Sequence, residues 1–165
     1  MRTRSFTRFA LVAGFLVAQA AVAASVIGRP VPIAEGDRCF RCQRVLSDRW
    51  VAAETIAAST GQAYKFRTIR CLLTYQRDTR QPVSQVFVAD DQTGAFIDAE
   101  RAVFVPVTID RHTGIMGYGV GETDYVAFKS VRAAEKFAAS TGVTTMTWPA
   151  VVYYEQFLPT RHEAE

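Results

Sequence analysis

The chain has 165 residues, with 19 lysines and arginines, 16 acidic residues, two histidines, three cysteines and a pI near 8.9. Without Arg2, Arg4 and Arg8 the basic count falls to 16 and equals the acidic count, so no basic stripe remains to hold a nucleic acid. Beyond the N-terminus no apolar segment approaches the roughly 20 residues that cross a bilayer, and what remains is the size of one domain.

The three N-terminal arginines precede an apolar run over residues 9–20, and Ala21, Val22 and Ala23 supply the small-x-small pattern of a cleavage site. Residues 1–24 are expected to be a cleavable signal peptide, which puts the mature protein in the periplasm. A retained membrane anchor is the alternative, but the run is short for one. No cysteine opens the mature region to carry a lipid; the nearest is Cys39. Residues 25–38, with Gly28, Pro30, Pro32 and Gly36, read as an irregular arm, and Cys39 to Cys42 as a turn.

Residues 50–56 are apolar, with β-branched and aromatic members. Ser59, Thr60 and Gly61 break the run, and residues 63–66 return as a second strand. Ala52, Ala53, Ala57 and Ala58 would also suit a short helix; the turn between two short apolar runs favours the hairpin. Thr68 then reads as an N-cap, with Ile69, Leu72 and Leu73 on one helical face and Gln81 and Pro82 as the stop. Residues 83–88 are strand-like, 90–94 form a turn, and 96–99 and 102–107 are further strands. A polar, glycine-rich loop spans 110–118, and residues 126–128 are short and apolar. Ser130 caps a second helix running to Ala139, stopped by Gly142. A last strand is expected over 143–148, and a frayed tail over 157–165.

Phe66 to Cys71 and Phe128 to Ala133 agree in character position by position: an aromatic, a hydroxyl cap, then a helix with arginine second. Two such units imply an α+β fold: a small two-layer sandwich of mostly antiparallel sheet and two helices, with the two stretches as candidate related β-β-α units.

The chemistry-bearing residues are Cys39, Cys42 and Cys71. Thiolates are natural ligands for soft ions such as Cu(I) and natural partners in disulfide exchange. The two-residue gap between Cys39 and Cys42 lets both sulfurs face one point. Cys71 falls in the first turn of the helix capped by Thr68, where free N–H groups are expected to lower its pKa. The plainer alternatives are a static disulfide for the pair and a core position for Cys71, beside Leu72 and Leu73. Three cysteines leave one thiol over in any pairing. Zinc fits less well, because a structural site takes four ligands and only His112 and His162 could add one. Met116, in the glycine-rich loop, is a candidate soft donor. Asp90 and Asp91 suit a turn better than acid–base work. No nucleophilic serine motif or phosphate loop is present, so hydrolase and nucleotide-binding readings are set aside.

These residues resemble the NosL-type accessory proteins of nitrous oxide reductase maturation. The marks are Cys39 with Cys42, the segment Ile69 to Leu73, Val88 to Asp90, Gly94, Phe96 to Ala99, Ala102 to Val105, Met116 to Gly119, Ala127 to Ser130 and Ala134 to Ala138. The resemblance implies a metal-binding domain over residues 39–156 and an extracytoplasmic Cu(I) chaperone, not an enzyme, that serves a cuproprotein client. It matches Cys39, Cys42, Cys71 and Met116 to family positions of suitable chemistry. The family's opening usually reads Cys-x-x-Cys-Gly-Met, with Cys and Met binding the metal. Here Gln43 and Arg44 follow Cys42, and arginine cannot bind Cu(I). The family's usual lipid-attachment site is missing as well. Both departures put nitrous oxide reductase itself in doubt as the client. A thiol–disulfide protein built on Cys39 and Cys42 is the rival reading, and an assembly factor with a static disulfide is the third.

Overall fold

The computed structural model describes residues 28–46, 52–109, 116–117 and 122–156. The expected signal peptide, the tail and most of the glycine-rich loop lie outside the described residues.

The expected hairpin forms from Ala53–Ala57 (β1) and Ala63–Phe66 (β2), with Ala53 opposite Phe66 and Ile56 opposite Ala63. The alanines that also suited a helix go into strand because β1 is internal to a four-stranded antiparallel sheet, ordered β2-β1-β3-β4. Here β3 is Val83–Ala89 and β4 is Phe96–Asp98. Every residue of β1 is buried. Glu54 and Ile56 share one face, and the N-terminal arm lies across it. The Val31 N–H donates to both Glu54 carboxylate oxygens, at 3.0 and 3.2 Å. Gly28 packs on Ile56 so closely that a Cβ there would meet its side chain at 3.1 Å. Lys65 fastens the rest of the arm, donating to the Pro32 carbonyl at 2.7 Å and pairing with Asp37 at 2.6 Å.

Helix α1, Ile69–Thr79, starts where expected: the Thr68 hydroxyl accepts from the Cys71 N–H at 3.1 Å. It ends at Arg80 in the left-handed region, φ 51°, ahead of Pro82. Strands Val103–Ile109 (β5), Met116–Gly117 (β6) and Glu122–Phe128 (β7) make a second antiparallel sheet, ordered β6-β5-β7. A parallel bridge between Asp90 and Ala127 links the sheets, with the Asp91 N–H donating to the Ala127 carbonyl at 2.7 Å. Alternate residues of β5 and β7 serve two cores. Phe104, Tyr125 and Ala127 join Phe66, Ile69 and Leu72 in the larger one. Val105, Val126 and Phe128 join Ala134 and Ala138 of helix α2, Val131–Thr141, in the smaller. Helices cover both faces of this sheet, which explains the unbroken apolar run at 126–128.

The α+β class is as expected, but the layering is richer. The strands divide between two sheets, and a third helix is present among the described residues. The strand expected over 143–148 reduces to a bridge between Met146 and Phe104, with mutual N–H···O bonds of 2.9 and 2.7 Å. The chain then enters α3, Trp148–Gln156. Pro149 sits in the first turn of α3, where no intrahelical N–H is needed. Trp148, Val151 and Glu155 are buried at helical spacing. The six-residue likeness has structural meaning. Phe66 and Phe128 both end strands, Thr68 and Ser130 both cap, and α1 and α2 are each 11 residues long.

Candidate metal centre

Residues 37–46 form a tight loop held shut by its own backbone. Arg38 and Val45 bridge, the Cys39 N–H donates to the Arg44 carbonyl at 2.8 Å, and the Leu46 N–H donates to the Asp37 carbonyl at 2.8 Å. Gln43 takes φ 60° so that its N–H can reach the Cys39 carbonyl at 2.9 Å. The Phe40 N–H donates to the Lys65 carbonyl at 2.8 Å, which sets the loop against β2. The Phe40 ring packs on Tyr64 and Tyr75, with centroids 4.5 and 5.3 Å apart.

This loop brings Cys39 and Cys42 to the first turn of α1, which carries Cys71. All three are free thiols, and their sulfurs lie within 4.8 Å of one another. Metal–thiolate bonds of ~2.3 Å put the sulfurs of a trigonal site about 4 Å apart, so one ion fits among them. Exposure is graded: Cys39 is fully buried, Cys71 partly, and Cys42 is open to solvent. No His, Asp or Glu completes a fourth position in this group among the described residues.

The electrostatics differ from the sequence expectation. The thiol held well below its ordinary range is Cys39, not Cys71. Its sulfur takes a hydrogen bond from the Cys71 thiol, with further support from the backbone N–H groups of Cys42 and Arg67 and the Cys42 thiol; these outweigh burial. Cys71 is pushed up, by donating to Cys39, by burial and by the charge on Cys39. The helix N-terminus does not rescue it because the N–H groups of Arg70 and Cys71 itself are already used. Thr68 takes that of Cys71, and Asp124 takes that of Arg70 at 3.1 Å. Asp124 is fully enclosed, and burial raises its pKa to about 6 against hydrogen bonds from Thr68, Tyr125 and Arg70. Behind it, Tyr125 donates to Glu155 at 2.8 Å, and Arg70 reaches the same carboxylate at 3.9 Å.

Sequence reasoning missed Asp124. An acidic residue inside an apolar strand is the one signal that could have marked it. Met116 lies in β6 opposite Ile109, in the small sheet. Its side chain lies outside the described residues, as does His112. The Cys39–Cys42 pair sits in a turn, not at the start of a helix as in thioredoxin-type sites.

A family model for NosL matches residues 30–152. No curated protein matches the sequence. Among solved structures, the crystal structure of the copper chaperone NosL from Shewanella denitrificans is similar, with a TM-score of 0.57 and 21% identity. The match covers 72% of this chain and 92% of that one. At that identity the likeness speaks for the fold.

Proposed function

The chain belongs to the NosL family, and from that premise we propose that it is an exported, soluble Cu(I) carrier that supplies or assembles a cuproprotein's metal centre in the periplasm. The observation that carries the reading is the group of three sulfurs within 4.8 Å, drawn from two segments of chain and graded from buried to exposed. Cys39, already disposed to ionise, anchors the ion. Cys71 and Cys42 release their protons as the metal arrives, so uptake is proton-coupled. Three soft donors, with no His, Asp or Glu beside them among the described residues, favour Cu(I) over zinc. Exposed Cys42 is the sulfur through which copper enters and leaves by ligand exchange. Met116 is a candidate further soft donor by residue type. The protein moves a metal ion and transforms no substrate.

The reduced chain is expected to take about one Cu(I), far more tightly than Zn(II). Anaerobic titration against a competing Cu(I) chelator tests this, and failure to compete would exclude the carrier role. The rival, a thiol–disulfide protein, draws on the same ionised Cys39 beside Cys42. It would show a defined dithiol potential with no Cu(I) uptake.

A further inference from the structure

The rim around Cys42 has a character of its own. Residues 37–46 carry Arg38, Arg41 and Arg44 against one acid, Asp37, and all three arginines are exposed. Asp37 is occupied by Lys65 at 2.6 Å and by the Ala34 N–H at 2.8 Å. Asp78 is shared between Arg41 at 3.8 Å and Arg77 at 3.5 Å, and exposed Glu35 precedes the loop. Set among these cations are two apolar side chains, Phe40 and Val45, 45% and 44% exposed. Phe40 cannot withdraw, because Tyr64 and Tyr75 brace its ring and its N–H is fixed to Lys65. An apolar centre inside a charged rim is the anatomy of a transient protein interface.

We propose that this face docks an acidic protein partner that exchanges Cu(I) with the chain at Cys42. The proposal rests on the carrier reading and adds who meets the site. Charge is the argument. A rim of arginines repels a hydrated metal cation, whereas Cu(I) held by two thiolates is an anionic centre that the rim attracts. Copper keeps its oxidation state throughout. A bond to Cys42 Sγ forms as a bond to a partner thiolate breaks, and the departing thiolate takes the Cys42 proton. Arg44, which stands where the family pattern has methionine, gives up a soft donor and adds to the docking charge. The same charges would hold an anionic membrane, but the exposed metal ligand in the same loop calls for a protein that brings ligands of its own.

The test uses two synthetic Cu(I)-loaded donor peptides with the same two cysteines, one flanked by glutamates and one by lysines. Stopped-flow transfer to the reduced full chain should be at least about tenfold faster from the glutamate peptide at low salt, with the difference shrinking at high salt. Arg41→Glu with Arg44→Glu should reverse the order, while the variant still takes up about one Cu(I) per chain at equilibrium. If that variant misfolds by circular dichroism, Arg41→Gln with Arg44→Gln should level the two rates. Equal, salt-independent rates in the unaltered protein would overturn the proposal. So would equal rates together with arginine-dependent sedimentation on phosphatidylglycerol–phosphatidylcholine vesicles, which would assign the face to a membrane. Absence of Cu(I) uptake at equilibrium would instead overturn the carrier reading beneath it.

Discussion

Replacing Thr68 by alanine removes a helix cap and the polar group that favours the Asp124 carboxylate, and the protein contains its own control. Thr68 is buried; its hydroxyl accepts the Cys71 N–H at 3.1 Å and favours the charged form of enclosed Asp124. Ser130 makes the matching cap on α2, accepting from the Ala133 N–H at 3.3 Å, but it is exposed and no bond to a buried acid is seen for it. Loss of a cap costs about 1 kcal/mol. A hydrogen bond to a charged group adds roughly 1.5–3 kcal/mol. Thr68→Ala should therefore cost about 3 kcal/mol at pH 7.5, and Ser130→Ala about 1 kcal/mol. For a domain of this size that is roughly 12 °C against 4 °C in Tm. Urea unfolding of the reduced, metal-free protein, with unchanged m-values, measures the difference directly. Thr68→Ser keeps the hydroxyl and should recover most of the loss. Equal costs for the two alanine variants, or no recovery with serine, would refute the role given to Asp124.

Asp124 also predicts a pH dependence. Its folded-state pKa of about 6 lies above its ordinary 3.8. The stability associated with its protonated form is fully present below about pH 4 and is lost as pH rises through 6. Asp124→Asn should flatten that window and raise neutral-pH stability by up to about 3 kcal/mol, read from denaturation midpoints at pH 4, 5, 6 and 7. Acidification acts oppositely through Asp37, whose pKa is lowered by Lys65 and the Ala34 N–H. Its contribution is present above its ordinary pKa and disappears as pH falls through the lowered value; protease cleavage within residues 28–38 should then rise, and Asp37→Asn should abolish that rise. Intact-mass measurement of the exported protein should place the mature N-terminus at Ala24 or Ser25, and a mass retaining residues 1–20 would overturn the signal-peptide expectation.

Local structure was legible where short-range rules decide it. Thr68 and Ser130 declare themselves as caps because a hydroxyl precedes apolar residues at helical spacing, and the β1–β2 hairpin follows from its turn. Helix α3 escaped because Pro149 reads as a breaker and Val151, Val152, Tyr153 and Tyr154 read as strand. Only burial of Trp148, Val151 and Glu155 against the core selects the helix. At the candidate metal centre, the three thiols were visible as residue types, but their order of acidity was not. It depends on the Cys39–Cys71 contact, made by seating the 37–46 loop on β2. It depends also on Asp124, which arrives from β7, 54 residues beyond Arg70, to occupy the N–H group expected to favour the Cys71 thiolate.

The most direct test of the central claim is X-ray absorption at the copper edge of the Cu(I)-loaded protein, compared with Cys71→Ser. A three-thiolate centre gives a first shell of at least three sulfurs at about 2.3 Å, reduced by one in the variant, with weaker Cu(I) binding and an intact fold. A two-sulfur shell that is unchanged by Cys71→Ser, with Cu(I) affinity also unchanged, would remove Cys71 from the site and contradict the three-thiolate centre.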